Sequence, residues 1–281
     1  MSTAGVPFVK GHGTENDFIL LPDAADTLEV TGSQVRALCD RRAGLGADGV
    51  IRVAPARSGA HFFMDYRNAD GSLAEMCGNG ARVFARFLVD AGWERNGSFD
   101  FATRGGLCAA AVDSQSDISI AMGSATLGRT SEAVLAGTAY VGTVVDVGNP
   151  HLVCMVSSAD LLDDLDLTTA PLVDVALFPT GVNVEFVVPL PDGHSCTDGN
   201  GHIRMRVFER GVGETRSCGT GTIAAAAAFL ATKGMALGRV NVHVPGGSVL
   251  VEVSASGAIL TGPAVMVAAG VIDPQFWAQH R

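Results

Sequence analysis

Two glycine-rich turns of the same form, Cys77-Gly-Asn-Gly and Cys218-Gly-Thr-Gly, occur in the two halves of the chain, and each leads into an apolar helical segment. Nine residues before each cysteine stands a polar residue, Asn68 in the first half and Glu209 in the second. Near the start of each half, an asparagine opens a short apolar run; these are Asn16 and Asn149. A pattern repeated in this order is typical of a chain built from two related units. We therefore predict an N-terminal domain over residues 1–120 and a C-terminal domain over residues 121–263.

Short β-branched runs bracketed by Gly, Asp, Asn or Pro predict strands through most of the chain. They cover residues 17–21, 49–53, 62–66, 116–121, 140–147, 152–156, 182–188, 203–209, 239–244 and 249–253. Helical patterns are clearest over residues 33–41, 80–91 and 221–233. The predicted class is α/β (α+β), with much strand and few helices.

The helices that follow the two turns differ in charge. The first carries Arg82, Arg86 and Asp90 at intervals of four residues, which predicts one solvated edge on an otherwise apolar helix. The second has no charged residue from Thr222 to Thr232. An uncharged helix of this kind is expected to be enclosed on all sides, as it would be inside a curled sheet.

Composition narrows the class of function. With 281 residues, 47% hydrophobic and 17% charged, the chain can bury a large core. Its net charge of −10 and the lack of a long basic run disfavour nucleic acid and anionic membranes as partners. The N-terminal residues lack the pattern of an export signal, and the six cysteines form neither a C-x-x-C pair nor a zinc-like cluster with histidines. These features favour a cytoplasmic protein with reduced thiols and no metal site.

A cysteine just ahead of a helix N-terminus is placed where the unpaired backbone N–H groups and the helix dipole favour the thiolate. The glycines that follow let the same N–H groups approach a bound carboxylate. One such turn is more typical of a buried cysteine or a phosphate loop. Two copies in repeated halves favour a different arrangement, with one sulfur on each side of a substrate carbon. That is the arrangement of a two-base racemase, in which one cysteine is the base and the other the acid.

The sequence resembles the diaminopimelate epimerase family over nearly its whole length. The resemblance is carried by seven segments: Lys10-Gly-His-Gly-Thr-Glu-Asn-Asp-Phe18, Arg41-Arg-Ala-Gly-Leu-Gly-Ala-Asp-Gly49, Tyr66-Arg-Asn-Ala-Asp-Gly-Ser72, Met76-Cys-Gly-Asn-Gly80, Gly148-Asn-Pro-His151, Gly181-Val-Asn-Val184 and Glu209-Arg-Gly-Val-Gly-Glu-Thr-Arg-Ser-Cys-Gly-Thr-Gly221. It implies two pseudo-symmetric domains, each a curled, mostly antiparallel sheet around a central helix, with the active site in the cleft between them. It further implies that residues 264–281 return to the first domain and that the protein is a homodimer.

The resemblance also implies a function and a set of site residues. The reaction would be the epimerisation of LL-2,6-diaminopimelate to meso-diaminopimelate, a step towards lysine and peptidoglycan precursors, with no pyridoxal phosphate or other cofactor. The low lysine content agrees, because only Lys10 and Lys233 could form a Schiff base. Cys77 and Cys218 would be the two bases, with His151 and Glu209 setting their acidity. The residues implied in substrate binding are Asn16, Asn68, Gly78, Asn79, Asn149, Asn183, Glu209, Arg210, Gly219 and Thr220.

Two alternatives remain at this point. The chain could be another two-cysteine racemase, of the proline or hydroxyproline type, or a non-catalytic anion-binding or thiol redox protein. Some members of the family have glutamine in place of Gly49, so no substrate contact is assigned to Gly49, and Glu15 stands where glycine or glutamine is common. Cys39, Cys108, Cys154 and Cys196 match no catalytic segment and are assigned to the core or the surface.

Overall fold

The computed structural model describes residues 5–113, 117–191 and 201–281. The chain forms two compact units. Unit 1 comprises Met1–Ile120 and Pro263–Arg281, and unit 2 comprises Ala121–Gly262.

The described residues contain eighteen strands and five helices. In chain order they are β1 Val6–Gly13, β2 Asn16–Pro22, α1 Gly32–Cys39, β3 Gly49–Pro55, β4 Phe62–Asn68, α2 Gly78–Asp90, β5 Gly97–Thr103, β6 Gly106–Val112, β7 Ile118–Met122, β8 Thr126–Leu135, β9 Thr138–Asp146, β10 Pro150–Met155, α3 Ala159–Asp164, β11 Leu172–Val173, β12 Asn183–Pro189, β13 Gly201–Glu209, β14 Gly213–Thr215, α4 Gly219–Thr232, β15 Gly238–Val244, β16 Gly247–Ser254, β17 Gly257–Gly262, β18 Val265–Ile272 and α5 Pro274–Gln279. Within the described ranges, no helix combines the length and apolar character needed to cross a bilayer.

In unit 1 the strands pair in the order β18-β1-β2-β3-β4-β5-β6-β7. The pairs β2–β3 and β4–β5 are parallel, and the others are antiparallel. Helix α2 contacts β1 to β4 and also β6 and β18, which lie towards opposite ends of this order. A sheet that touches one helix from both ends must curl around it.

Unit 2 repeats this arrangement. Its strands pair in the order β8-β9-β10-β12-β13-β15-β16-β17, in which β10–β12 and β13–β15 are parallel and the rest antiparallel. Strand β11 extends the sheet beyond β8, and β14 pairs with β13. Helix α4 contacts strands from β9 to β17. The two curled, mostly antiparallel sheets with central helices confirm the predicted fold class.

The two central helices meet their surroundings differently. Helix α4 is buried at Gly219 and from Gly221 to Leu230, as its lack of charge predicts. In α2, Arg86 and Asp90 form an ion pair of 3.0 Å on the more exposed side, also as expected. The prediction for Arg82 is wrong, because its side chain is fully buried. The regular spacing of charges suggested a solvated edge, but the sheet closes over the first turns of the helix.

The predicted boundaries shift for local reasons. Helix α1 was predicted to reach residue 41 but ends at Cys39, because Asp40 has an extended backbone and its carboxylate accepts from the N–H groups of Arg42 and Ala43. The start of the strand predicted over 116–121 lies outside the described residues, and the described part of that strand begins at Ile118. Strands β5 and β6 were not predicted; three of the seven residues of β6 are alanine, which has low strand propensity.

Enclosure of α4 generates a stability prediction. Ala226 is fully buried in this helix, whereas Ala231 is exposed in its last turn. Ala226→Glu would place a carboxyl group at a fully buried position of this uncharged helix, at a cost of roughly 3 kcal/mol or more of unfolding free energy. Ala231→Glu places the same side chain in solvent and should change stability by only about 0.5 kcal/mol. Urea unfolding followed by circular dichroism measures both. Equal midpoints for the two variants would contradict the enclosure of α4.

Candidate active site

Cys77 lies at the N-cap of α2 and takes the place of the usual oxygen-bearing cap. Its backbone is extended, with φ −139° and ψ 120°, and its Sγ accepts from the N–H of Gly80 at 3.5 Å. A Cβ at Gly80 would approach Met64 Cε to 3.1 Å and Ile51 Cδ1 to 3.2 Å. The glycine therefore lets the first turn of α2 lie close against β3 and β4.

Asn16, at the start of β2, links the cysteine to the helix. Its Oδ1 accepts from Asn79 Nδ2 at 3.2 Å and from the Cys77 thiol at 3.7 Å. Its Nδ2 donates to Asp48 Oδ2 at 2.7 Å, which fixes the orientation of the amide. Three of the predicted site residues of unit 1 are thus joined directly, and Gly78 lies between two of them in the chain.

Asp48, which accepts the hydrogen bond from Asn16, belongs to an ion-pair network. Arg41 bridges Asp48 at 2.7 Å and Asp17 at 2.8 Å, and Lys10 contacts Asp17 at 2.7 Å. Burial alone would raise the pKa of Asp17, but hydrogen bonds from Arg41 and Lys10 lower it to about 2. Asp17 is therefore ionised across the physiological range, and Lys10 is engaged in its ion pair.

Asn68, the last residue of β4, is positioned by its own strand and the following turn. Its Oδ1 accepts from the Tyr66 hydroxyl at 2.8 Å, and its Nδ2 donates to Ser72 Oγ at 3.0 Å.

Cys218 occupies the same position in unit 2, at the N-cap of α4. Its backbone angles are φ −123° and ψ 116°, and its Sγ accepts from the N–H of Gly221 at 3.4 Å. Thr220 Oγ1 lies 3.6 Å from the sulfur. Unlike Cys77, which is half-buried, Cys218 is buried together with Gly219. The local geometry of the two cysteines is therefore the same and their exposure differs.

Burial and neighbouring carboxylates favour the neutral thiol form of Cys218 over the thiolate. Burial raises the pKa of its thiol well above the ordinary value, and the carboxylates of Glu209 and Glu185 raise it further. Hydrogen bonds from Thr220 and the Gly221 N–H act in the opposite direction but are weaker. The sequence predicted that the helix N-terminus would lower this pKa; for Cys218, desolvation and two carboxylates outweigh the helix. Cys218 is a thiol in this state.

Glu209, the last residue of β13, is coupled to this cysteine. Burial raises the pKa of its carboxyl group, Glu185 raises it further, and hydrogen bonds with Thr215 and Cys218 lower it. It occupies the position in β13 that Asn68 occupies in β4, since each ends the fourth strand of the repeated pattern that begins with β1 or β9.

His151 forms a fully buried pair with Glu185, a residue that the sequence analysis missed. Nδ1 of His151 lies 2.7 Å from Glu185 Oε1, and Nε2 lies 3.1 Å from Asn149 Oδ1. Asn149 in turn donates to Thr220 Oγ1 at 3.5 Å. Glu185 sits against α4 so closely that a Cβ at Gly221 would be 2.7 Å from its Oε1. The signal that could have revealed it is an acidic residue within the apolar run of β12, directly after the Gly181-Val-Asn-Val184 segment.

Asn183 and Arg210 form a second contact in unit 2. Asn183 Oδ1 accepts from the backbone N–H of Arg210 at 2.9 Å. The Arg210 guanidinium donates to the carbonyl and hydroxyl oxygens of Thr180, both at 3.2 Å. The guanidinium is exposed and its described acceptors are neutral.

The remaining described cysteines are core residues. Cys39, Cys108 and Cys154 are buried, and burial raises the pKa of each thiol to about 12. Thiols of this kind are poor nucleophiles at neutral pH. Cys196 lies outside the described residues.

The electrostatics of unit 2 generate a titration prediction. Because the Glu185 carboxylate raises the pKa of Cys218, Glu185→Gln should lower the pH midpoint at which Cys218 reacts with iodoacetamide. Glutamine retains an acceptor for the His151 Nδ1–H, so the geometry is largely preserved. Residue-resolved mass spectrometry after timed alkylation measures the midpoint.

The matched control is Glu214→Gln, because Glu214 is exposed and pairs with Arg206 at 2.7 Å. Its effect on the Cys218 midpoint should be negligible. An unchanged or higher midpoint in Glu185→Gln would contradict the assigned influence of Glu185.

Comparison with known proteins gives a consistent family. The family model described as diaminopimelate epimerase matches residues 8–128 and 143–267. The chain is 47% identical to a diaminopimelate epimerase of Rhodococcus jostii strain RHA1, over 96% of this chain and 98% of that protein. It is 48% identical to a diaminopimelate epimerase of Corynebacterium glutamicum, over 95% and 98% of the two chains.

Solved structures with low sequence identity share the fold. A phenazine biosynthesis protein of the PhzF family from Bacillus anthracis aligns with a TM-score of 0.71 at 15% identity, over 97% of this chain and 99% of that one. A probable proline racemase from Agrobacterium radiobacter K84 aligns with a TM-score of 0.64 at 14% identity, over 97% and 95% of the two chains. The family model and the near full-length identities show that this chain belongs to the diaminopimelate epimerase family.

Proposed function

We propose that the protein is an isomerase that converts LL-2,6-diaminopimelate to meso-diaminopimelate by two-base proton exchange, without an organic cofactor. The observation that carries this proposal is the equivalence of Cys77 and Cys218. Each caps the central helix of one of two units with the same strand order, in a chain of the diaminopimelate epimerase family. The reaction would serve lysine and peptidoglycan precursor synthesis.

The repeated turns suit an α-amino acid as substrate. The first N–H groups of α2 and α4, with the turn residues Gly78, Asn79, Gly219 and Thr220, are donors suited to the oxygens of the reacting carboxylate. They would also stabilise the negative charge that develops when the α-proton leaves, because these donors are fixed before reaction.

The two sulfurs have complementary roles in the proposed step. One cysteine, as thiolate, removes the proton from the α-carbon and becomes a thiol. The other, as thiol, gives its proton to the opposite face of the same carbon and becomes a thiolate. No proton is gained or lost overall, and the configuration is inverted. The raised pKa of Cys218 supports its role as the proton donor in the free enzyme.

In this proposal, one group of polar residues binds the reacting end of the substrate and another group binds the opposite end. Glu209 next to Cys218 is suited to the reacting ammonium group, and His151 with its Glu185 partner adjusts the charge beside the same cysteine. Arg210 can bind a carboxylate bidentately, and the asparagines offer both donors and acceptors. With Asn16, Asn68, Asn149 and Asn183, Arg210 would recognise the second, zwitterionic end of diaminopimelate. A proline or hydroxyproline substrate has no such end and would leave these residues without a role.

We expect LL-diaminopimelate incubated with the enzyme in deuterated water to give meso product that carries deuterium at the inverted carbon at early times. The reason is that the donating cysteine exchanges its proton with solvent before each turnover. Chiral chromatography with mass spectrometry identifies the product and its label. Proline and hydroxyproline should remain unchanged under the same conditions.

Cys77→Ala and Cys218→Ala provide the controls, since each removes the base for one direction and the acid for the other. Each should lower kcat/KM by at least about a thousandfold, which corresponds to roughly 4 kcal/mol of activation free energy. Cys39→Ala should retain activity, because Cys39 is a core thiol. Unlabelled product, a requirement for added pyridoxal phosphate, or a cysteine variant with a tenth of the wild-type kcat/KM would contradict the mechanism.

We also propose that the protein is a cytoplasmic homodimer, with no nucleic acid or membrane partner. Strand β18 supports the dimer, because Val265, Val267 and Val271 are 45%, 60% and 66% exposed on a strand with no charged residue. Exposed apolar strands of this kind commonly mark protein–protein contacts. A thiol-dependent mechanism fits the reducing conditions of the cytoplasm.

Val267→Asp should shift the protein from dimer to monomer, because it places a charge within the apolar contact. Val175→Asp is the matched control, since Val175 is 77% exposed and belongs to unit 2, whereas β18 belongs to unit 1. Analytical ultracentrifugation at several protein concentrations gives the oligomeric state. A wild-type monomer, or a dimer unaffected by Val267→Asp, would refute this interface.

A further inference from the structure

Arg82 is the largest fully buried side chain that the proposed reaction leaves without a role. It lies in α2 five residues after Cys77, and its side chain has no exposed surface. Nε donates to the carbonyl of Pro263 at 3.2 Å, and Nη2 donates to Thr14 Oγ1 at 3.1 Å. Nη1 is buried and has no hydrogen-bond partner among the described residues.

Neither hydrogen bond of Arg82 neutralises its charge, because both acceptors are neutral oxygens. Fully buried arginines are rare unless they are paired, since removal of a cation from water is costly. Burial lowers the pKa of the Arg82 guanidinium to about 10, while Cys77 and Asp117 act in the opposite direction. The group is therefore still a cation at neutral pH, and these are the two titratable groups whose charges favour it.

Of these two groups, Asp117 is exposed, so solvent screens its charge. Cys77 is half-buried on the same helix, where screening is weaker. A thiolate at Cys77 would supply the negative charge that the buried guanidinium otherwise lacks.

The other charged groups around α2 are paired among themselves. On the contacting strands, Lys10 pairs with Asp17, and Asp65 receives both Arg52 and Arg67. His12 accepts from the backbone N–H of Glu15, and Arg86 and Asp90 of α2 pair with each other; the described residues of β6 and β18 carry no Asp, Glu, Lys, Arg or His. None of these groups contributes a resolved charge effect on Arg82.

The equivalent position in unit 2 has the opposite character. Five residues after Cys218 stands Ile223, which is buried and uncharged. In place of a cation, unit 2 provides Glu185 and Glu209 beside its cysteine. The two cysteine caps have the same backbone conformation, but the buried charge is positive on the helix of Cys77 and negative beside Cys218.

We propose that Arg82 is a positioning residue that holds Cys77 in the thiolate form, so that in the free enzyme Cys77 is the base and Cys218 the acid. The catalytic meaning of this assignment rests on the proposed function, but the ionisation of Cys77 does not. The Gly80 N–H bond to Sγ favours the thiolate as well. The contact with Asn16 Oδ1 favours the thiol, but at 3.7 Å it is a weak sulfur hydrogen bond.

The test is the pH dependence of iodoacetamide alkylation at Cys77, resolved by peptide mass spectrometry. In the wild-type protein the midpoint for Cys77 should lie below that for Cys218. Arg82→Gln, which keeps donors but removes the charge, should raise the Cys77 midpoint and slow alkylation near neutral pH roughly tenfold, equivalent to one pH unit. Arg82→Lys, which keeps a cation, should restore most of the rate.

Two references accompany the measurement. Arg86→Gln removes a charge one turn further along α2, where Arg86 already pairs with Asp90, and should leave the Cys77 midpoint unchanged. Cys218 in the same samples reports any general loosening of the structure, because a purely structural role of Arg82 would not shift the Cys77 midpoint selectively. Circular dichroism confirms that each variant is folded.

An unchanged Cys77 midpoint in folded Arg82→Gln would overturn the proposal, and so would an equal shift in Arg82→Lys. If neither variant folds, the wild-type comparison decides, and a Cys77 midpoint at or above that of Cys218 overturns the proposal. Alkylation does not depend on turnover. Failure of this inference would therefore leave the deuterium result intact, and loss of epimerase activity would leave the alkylation result intact.

Discussion

The structure depends on a hydrogen bond between a helix N-terminus and a sulfur atom. The first N–H groups of a helix have no partners within it, and in both units the third residue of the central helix donates to a cysteine instead of the usual oxygen cap. This bond places the sulfur beside the same N–H groups that can bind a carboxylate. It also requires a glycine-rich first turn, since a Cβ at Gly80 or Gly221 would press on the side chains of the surrounding sheet. In each unit, the curled sheet, the central helix and the cysteine that caps it are thus parts of one arrangement.

Two units with the same backbone pattern differ in the charge around that bond. Unit 1 places a buried arginine on the helix that Cys77 caps, and unit 2 places Glu185 and Glu209 beside Cys218. A two-base reaction needs one thiolate and one thiol. Two cysteines in identical surroundings would have the same pKa, so neither would be favoured as the thiolate. In the proposed reaction, this difference in buried charge would set which cysteine is the thiolate and which the thiol before substrate binds. Because both charges lie inside their units, salt would screen them only weakly.

Much of this could be predicted from the sequence, and the failures have physical causes. The repeat, the two caps and the enclosed α4 follow from local patterns, since an uncharged helix can only be buried. Arg82 could not be placed by periodicity, because spacing identifies a helix face but not whether a sheet closes over that face. Glu185 was missed for a related reason: an acidic residue in an apolar strand is explained only by its partner, and His151 is 34 residues away in sequence.

The turn between β1 and β2 holds both Arg82 and Asn16, the residue that contacts Cys77. Thr14 and Glu15 have φ of 51° and 60°, in the left-handed region that favours glycine, and such strain persists only where the surrounding structure fixes it. Thr14 supplies the hydroxyl that holds Arg82, and the chain emerges from the turn at Asn16, which contacts the cysteine. A Cβ at Gly13 would lie 3.0 Å from both Arg82 Nη2 and the carbonyl of Asn79. This turn therefore holds two groups at once: the Arg82 guanidinium, through the Thr14 hydroxyl, and the Asn16 amide that contacts the Cys77 sulfur.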